Sequence, residues 1–302
     1  MGVARVNIGT VELDHALEEP GFRHRGTPVG RRLGARRIGA GVYEADRDVP
    51  IWPYHYHHGI EEWLYVLAGA PVLRDPAGKR TLAPGDLIRF PSGHLGAHTV
   101  SGPGRFVIFD ADHGVEPYMC VYPDSDKISG PGGILRRSSA VGYWHGEGAA
   151  ERSEPAEAER EPATADSRPV VNVPALAGSQ RVDAGLLEAA LVEVGPGEVS
   201  EPYHVVSGRE VWILVLSGSP TLLHPDGEER LEAGDLVCRP EGPAGAHSLA
   251  NNGDGRVRAM VLSTTGLPVN VFYPDTGEWR LRNAHGEAVS LQGTAERPDN
   301  VV

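Results

Sequence analysis

The chain is 302 residues long and carries 28 Lys and Arg against 41 Asp and Glu, a formal charge of −13. So acidic a chain offers phosphate no clustered cations and would be repelled by an anionic leaflet, which excludes nucleic acid and membrane surfaces as partners. Gly (39) and Pro (25) are plentiful and aromatic residues are only 6%, the composition of a turn-rich β protein and not of a helical bundle. Two cysteines, Cys120 and Cys238, rule out a disulfide scaffold and a Cys-rich zinc site. The opening residues have no apolar run behind them, and no run anywhere approaches the roughly 18 residues of a spanning helix, so a cytoplasmic location is expected.

In chain order, residues 11–19 carry a weak helical pattern at best. Strand-like stretches follow: 61–67 up to Gly69, 71–73 up to the turn at 75–78, 86–90 up to Pro91, and 105–110. Short strands about every 10 residues, punctuated by Gly and Pro, predict a sandwich or barrel of antiparallel strands. Residues 148–169, rich in Ala, Glu, Pro, Arg and Ser, hold no core former but Thr164 and read as a mobile linker; a short helix over 156–160 is the alternative. Beyond the linker the pattern repeats. Pro53-Tyr54-His55 returns as Pro202-Tyr203-His204, Gly85-Asp86-Leu87 as Gly234-Asp235-Leu236, and Gly96-Ala97-His98 as Gly245-Ala246-His247, all at an offset of 149. Over 53–98 and 202–247, 22 of 46 positions are identical without a gap. The chain is a tandem duplication, with one domain expected over 1–147, the linker over 148–169 and a second domain over 170–302.

The chemistry lies in the histidines. In His55-Tyr56-His57, residues two apart on a strand face the same side, so both imidazoles can converge on one ion. Glu62 adds a hard oxygen ligand and His98 a third imidazole. Three imidazoles and one carboxylate leave open positions on a six-coordinate metal, an arrangement suited to catalysis. In the second repeat His55 and His98 persist as His204 and His247, but His57 becomes Val206, His58 becomes Ser207 and Glu62 becomes Val211. A metal site in the first repeat and a degenerate one in the second are expected. Glu61, matched by Glu210, competes with Glu62; were Glu61 the ligand, His204, Glu210 and His247 would form a second site. Trp63 and Trp212 are expected to pack the barrels, and His58, His94 and Arg23, Arg25, Arg31, Arg32, Arg36 and Arg37 to be surface residues. Cys238 is expected to be buried and inert.

The spacing His55-x-His57-x4-Glu62-x6-Gly69, followed by Gly85-x5-Pro91-x-Gly93 and His98, resembles the paired motifs of the cupin superfamily. The resemblance covers both repeats, as in a bicupin. The first copy, through PYHYHHGIEEWLYVLAG, GAHTV, VYPDSDKI and AVGYWHGE, is also similar to small stand-alone bacterial cupins of mostly unassigned activity. Val49, the four residues between Gly93 and His98, and Gly102 depart from the common pattern. The resemblance implies an all-β fold of two tandem jelly-roll barrels, with His55, His57, Glu62 and His98 lining the first and binding a divalent metal. Fe(II) is favoured; Mn(II), Ni(II) and Zn(II) stay open. It further implies a metal-dependent enzyme acting on a small organic molecule, an Fe(II) dioxygenase foremost. The alternatives are a non-catalytic metabolite- or metal-binding cupin, and a non-oxidative isomerase, decarboxylase or bond-forming enzyme. The two barrels are expected to pair as an intramolecular pseudo-dimer, with homodimerisation open.

Overall fold

Along strand Ile60–Gly69 alternate side chains face opposite ways, and two different cores result. Leu64 and Val66 point into one barrel interior with Ile88, Phe90, Val100 and Phe106. Trp63 and Tyr65 point out the other side, into a core that also contains Trp212, Leu214, Met260 and Leu262 of the second repeat. The computed structural model describes residues 3–46, 48–112, 118–139 and 170–292, and among them there are strands and short 3₁₀ turns but no α-helix. The fold is all-β, and no helix of the described residues is long and apolar enough to cross a membrane. Residues 148–169 and the stretch AVGYWHGE lie outside the described residues, as does the alternative helix over 156–160.

Each repeat is built from a large sheet faced by two smaller ones. In the first, Asp86–Phe90, Ile60–Gly69, Gly104–Asp112, Ile38–Ala45, Phe22–Pro28 and His15–Glu19 are neighbours in that order. In the second, Asp235–Arg239, Val211–Ser217, Val257–Thr264, Leu187–Val194 and Gln180–Ala184 repeat the arrangement. The stretch given a weak helical pattern is strand His15–Glu19 instead, paired residue for residue with Phe22–Pro28. Pro20 and Gly21 (φ 84°) reverse the chain between them, and a helix could not continue through such a turn.

The large sheets pack on each other through their outer faces, where the rings of Phe109 and Trp212 meet edge to face at 6.0 Å. Each sheet is also extended by a strand from the other side of the repeat boundary. Arg5–Asn7, which precedes the first repeat, pairs antiparallel with Asp235, Leu236 and Val237 of the second. Val171–Asn172, which precedes the second, pairs with Asp86 and Leu87 of the first. The same amide clasp closes both exchanges. Asn7 donates to the Ala233 carbonyl and to Asp235 at 3.0 Å each; Asn172 donates to the Pro84 carbonyl at 3.0 Å and to Asp86 at 2.8 Å. Both aspartates are buried. Arg105 then holds the carbonyls of Ile8 and Val11, as Arg258 holds those of Val173 and Pro174.

Removing either clasp leaves a buried carboxylate oxygen without its donor, at about 1–3 kcal/mol. Asn7→Ala and Asn172→Ala should each lower the free energy of urea unfolding by that amount. A change below about 0.5 kcal/mol in both, the scatter of ordinary surface substitutions, would show that the arms contribute nothing to holding the repeats together.

Candidate metal centre

Two backbone hydrogen bonds create the site. His55 N donates to the His98 carbonyl at 3.0 Å and His98 N to that of His55 at 2.8 Å, so residues 43 apart in sequence are locked side by side with ring centroids 4.8 Å apart. The ring nitrogens are then assigned by chemistry. Nδ1 of His55 lies 2.8 Å from the Pro53 carbonyl and Nδ1 of His98 2.8 Å from that of Gly96. A carbonyl only accepts, so each Nδ1 carries the proton and each Nε2 is left with a free lone pair. Phe90 stacks on His98 at 3.7 Å and fixes its plane. Gly96 is required for the tight turn before His98, because a Cβ there would fall 1.9 Å from the Pro91 carbonyl oxygen.

Glu62 enters from the neighbouring strand. Its Oε2 is 3.3 Å from Nε2 of His57, 3.6 Å from that of His98 and 3.8 Å from that of His55. This oxygen is buried and accepts no hydrogen bond, although three imidazole nitrogens surround it. His55, Glu62 and His98 each bring one ligand atom within 4.8 Å of the others, a grouping that could hold a metal ion, and His57 completes the ring around the carboxylate. Burial lowers the basicity of His98, to about 3, and acts on His55 in the same direction. Burial also works against charge on His57, but Cys120 and Glu62 beside it prevail and raise its pKa to about 10. For Glu62, burial favours the neutral acid, and the three imidazoles overcome it, lowering the carboxyl to about 2. The carboxylate and the imidazoles thus stabilise charge on one another, and a cation among the four side chains would take over that role. The donor set fits a divalent metal.

Strand parity places Glu62, and not Glu61, on the side of the histidines. Glu61 turns away from the histidines and is 3% exposed between the two sheets. It accepts from the Trp63 indole at 2.7 Å, the Leu186 and Leu187 amides at 2.9 and 3.2 Å, and Arg89 at 3.4 Å. Glu210 repeats this from the other side, accepting from the Trp212 indole and the amides of Arg36, Arg37 and Ile38. A second site of His204, Glu210 and His247 therefore does not assemble: Glu210 faces the partner sheet, and the second barrel brings only His204 and His247 together, with ring centroids 4.5 Å apart. Trp63 and Trp212 pack between the barrels, not within them, because they share the faces of Glu61 and Glu210.

Of the remaining sequence candidates, His58 and His94 are exposed, and Arg23 and Arg32 form surface ion pairs with Asp46 and Asp14. Cys238 is buried in the shared core and its thiol is pushed up to about 12, mainly by that burial. Cys120, considered only as a potential disulfide partner, stands opposite His57 across a strand pair, its sulfur within 4.8 Å of ligand atoms on His55 and His57. A thiol 63 residues downstream of His57 gives no spacing signal; only the pairing of Tyr56–His58 with Met119–Tyr122 reveals it.

A family model described as the cupin domain matches residues 49–112 and 190–263. No curated protein matches the chain significantly. Solved structures do: a cupin-superfamily sugar phosphate isomerase from Silicibacter pomeroyi is 22% identical, covering 41% of this chain and 82% of that one, with a TM-score of 0.36. Oxalate decarboxylase from Bacillus subtilis is 16% identical, covering 86% and 75%, with a TM-score of 0.48. Oxalate decarboxylase from Lactobacillus farciminis, in complex with formate, is 15% identical over 88% and 87%, with a TM-score of 0.49. At these identities the likeness is one of fold alone.

The two adjacent glutamates should separate cleanly on substitution. Glu62→Gln is expected to weaken metal retention at least tenfold, the scale of losing a group that orients or holds a metal, without loosening the barrels. Glu61→Gln is expected to lower unfolding free energy by about 1–3 kcal/mol with metal content unchanged. Elemental analysis after dialysis, paired with urea unfolding, reads both; an exchange of the two effects would mean the strand faces are reversed.

Proposed function

Since this chain carries two cupin domains in tandem, we propose that its first barrel is a divalent-metal centre that transforms a small organic molecule without net oxidation, by isomerisation, decarboxylation or bond formation. The observation that carries the reading is Glu62 Oε2, a buried carboxylate oxygen among three imidazole nitrogens with no hydrogen bond of its own. His55, His57, Glu62 and His98 would hold the ion; a set of three nitrogens and one oxygen suits Fe(II), Mn(II), Ni(II) or Zn(II). When bound, such an ion supplies Lewis acidity to an oxygen of the substrate.

The protein's own contribution would be to place polar groups beside the ion in a largely enclosed interior. Asp110 stands opposite Glu62 in the strand pair, and Gly39, which faces it from the other neighbouring strand, leaves it room: a Cβ there would fall 2.2 Å from its carboxylate. Burial raises the Tyr43 hydroxyl to about 12, reinforced by the charges of Asp110 and Glu62, so at neutral pH it keeps its proton and can donate a hydrogen bond. Ile51, Leu64, Val66 and Phe106 form the apolar wall that excludes water. The Cys120 thiol beside His57 favours a non-oxidative reaction, because a thiol next to an oxygen-activating centre is exposed to oxidation.

The chain as purified is expected to hold about one equivalent of divalent metal, lost on chelation and in His98→Ala. Two equivalents that persist in His57→Ala would overturn the assignment of the ion to the first barrel. Dioxygen consumption by Fe(II)-loaded protein in the presence of candidate substrates would replace the non-oxidative reading by the oxygenase. Tight binding of small molecules without turnover would replace it by a binding protein.

A further inference from the structure

The second barrel is not a filled copy of the first. Four aromatic side chains line the first interior: Tyr43, Trp52, Phe90 and Phe106, with Tyr43 and Trp52 meeting edge to face at 5.0 Å. Tyr43 lies so close to its own sheet that a Cβ on Gly26 would fall 2.5 Å from its ring and one on Gly41 2.4 Å from its hydroxyl. The equivalent positions of the second repeat are Val192, Glu201, Arg239 and Ala259. Arg239 turns away, donating to the carbonyls of Ala244, Gly245 and Ala246. The metal-side residues change in the same sense: His57, Glu62 and Cys120 become Val206, Val211 and Val271. Tyr43, Phe106, His57, Glu62 and Cys120 thus give way to Val192, Ala259, Val206, Val211 and Val271, and the second barrel holds a cavity of about 1010 Å³. It is large enough for a small organic ligand.

Its walls are apolar, through residues such as Val192, Val206, Val211, Ile213, Leu249 and Val261, and its charge is uneven. Four arginines line it (Arg181, Arg209, Arg280 and Arg282) against two glutamates, Glu188 and Glu201. Glu201 accepts from the Tyr273 hydroxyl, and Arg280 pairs with Glu278. Glu188 is shared by two guanidinium groups, Arg209 at 3.3 Å and Arg181 at 3.6 Å, which leaves an excess positive charge there. Arg209, just before strand Val211–Ser217, lines the cavity together with Val211 and Ile213, and its Nε is buried with no acceptor. An unpaired buried donor beside uncompensated charge calls for an anionic acceptor, and a planar guanidinium is matched by a carboxylate. At the other polar end, Nδ1 of His204 and of His247 is occupied by the carbonyls of Pro202 and Gly245, and Nε2 of His204 lies 3.9 Å from the Glu201 carboxylate.

We infer that the second barrel is a metal-independent binding site for a small carboxylic acid with an apolar body, its carboxylate held by Arg209 and its body enclosed by the valines that replace the metal ligands and aromatic filler. This site is separate from the metal centre, and its occupancy does not depend on that centre's reaction. Exposed Leu267 and Val289, both lining residues, extend the apolar surface outward for the longer members of the class.

Isothermal titration of the full chain with hexanoate and 3-phenylpropionate, each beside the alcohol of the same skeleton, tests the inference. One acid per chain is expected, bound at least tenfold more tightly than its alcohol. Binding should survive in Glu62→Gln, which separates it from any carboxylate taken up by the first barrel. It should weaken at least tenfold in Arg209→Gln, which keeps length and polarity, and be lost in Val192→Tyr, which restores the aromatic filler. Equal affinity for acid and alcohol, absence of binding by either acid at millimolar concentration, or binding that disappears in Glu62→Gln while surviving Arg209→Gln and Val192→Tyr would each overturn it.

Discussion

Two buried carboxylates hold this molecule together. Glu61 and Glu210 are 3% and 1% exposed, and each is satisfied by its own repeat's tryptophan and by main-chain amides of the other repeat. An isolated buried charge costs several kcal/mol, and removing its partners is far worse than never having buried it. Separating the barrels would give up these amide hydrogen bonds together with the shared apolar core. The two indole N–H groups would lose no partner, but the rings that carry them would lose the shared core. The association is specific because the donors are backbone amides at fixed places, which a merely apolar interface would not demand.

Strand alternation lets this clasp coexist with chemistry. Every second residue of Ile60–Gly69 belongs to the interface and every other one to the barrel interior, so each set can change without disturbing the other. The outward set is nearly the same in both repeats: Glu61 and Glu210, Trp63 and Trp212, with Arg105 and Arg258 and Asn7 and Asn172 around them. The inward set diverges, from Glu62 and Tyr43 to Val211 and Val192. A duplicated chain that must keep its interface keeps both barrels folded, and the two interiors are free to differ.

The duplication, the all-β fold and the four clustered residues were legible because each rests on short-range pattern: a fixed offset, Gly and Pro punctuation, a two-residue spacing on a strand. The position of Glu62 on the histidine side of its strand was legible from its parity with Leu64 and Val66. The same parity places Trp63 with Glu61 in the interface, a step that reading the tryptophan as barrel filler missed. The exchanged arms were not legible. Arg5–Asn7 and Val171–Asn172 are too short to show periodicity, and their separation differs from the offset of 149 that marks the repeat. Cys120 and the second cavity were hidden for a related reason, since both arise from which strands lie opposite one another, and the pairing of distant strands leaves no local trace.

The second repeat also explains which ligands are free to be lost. His55 and His98 each have a structural role besides any metal: their Nδ1–H groups satisfy the carbonyls of Pro53 and Gly96 in the turns that bring the two strands together. Any residue could supply the backbone bridge between them, but few could cap those carbonyls from the same positions. His204 and His247 retain this capping intact, at 2.9 and 2.8 Å. His57 and Glu62 have no such second role, for His57 Nδ1 and Glu62 Oε2 are both buried without a hydrogen-bond partner. Without a cation only the mutual attraction of His57 and Glu62 offsets the burial of those two atoms, and replacement by apolar side chains removes that cost. Val206 and Val211 are that replacement. The pattern of loss and retention follows hydrogen-bond satisfaction: two of the first barrel's residues are tied to their turns, and two carry buried atoms without a hydrogen-bond partner.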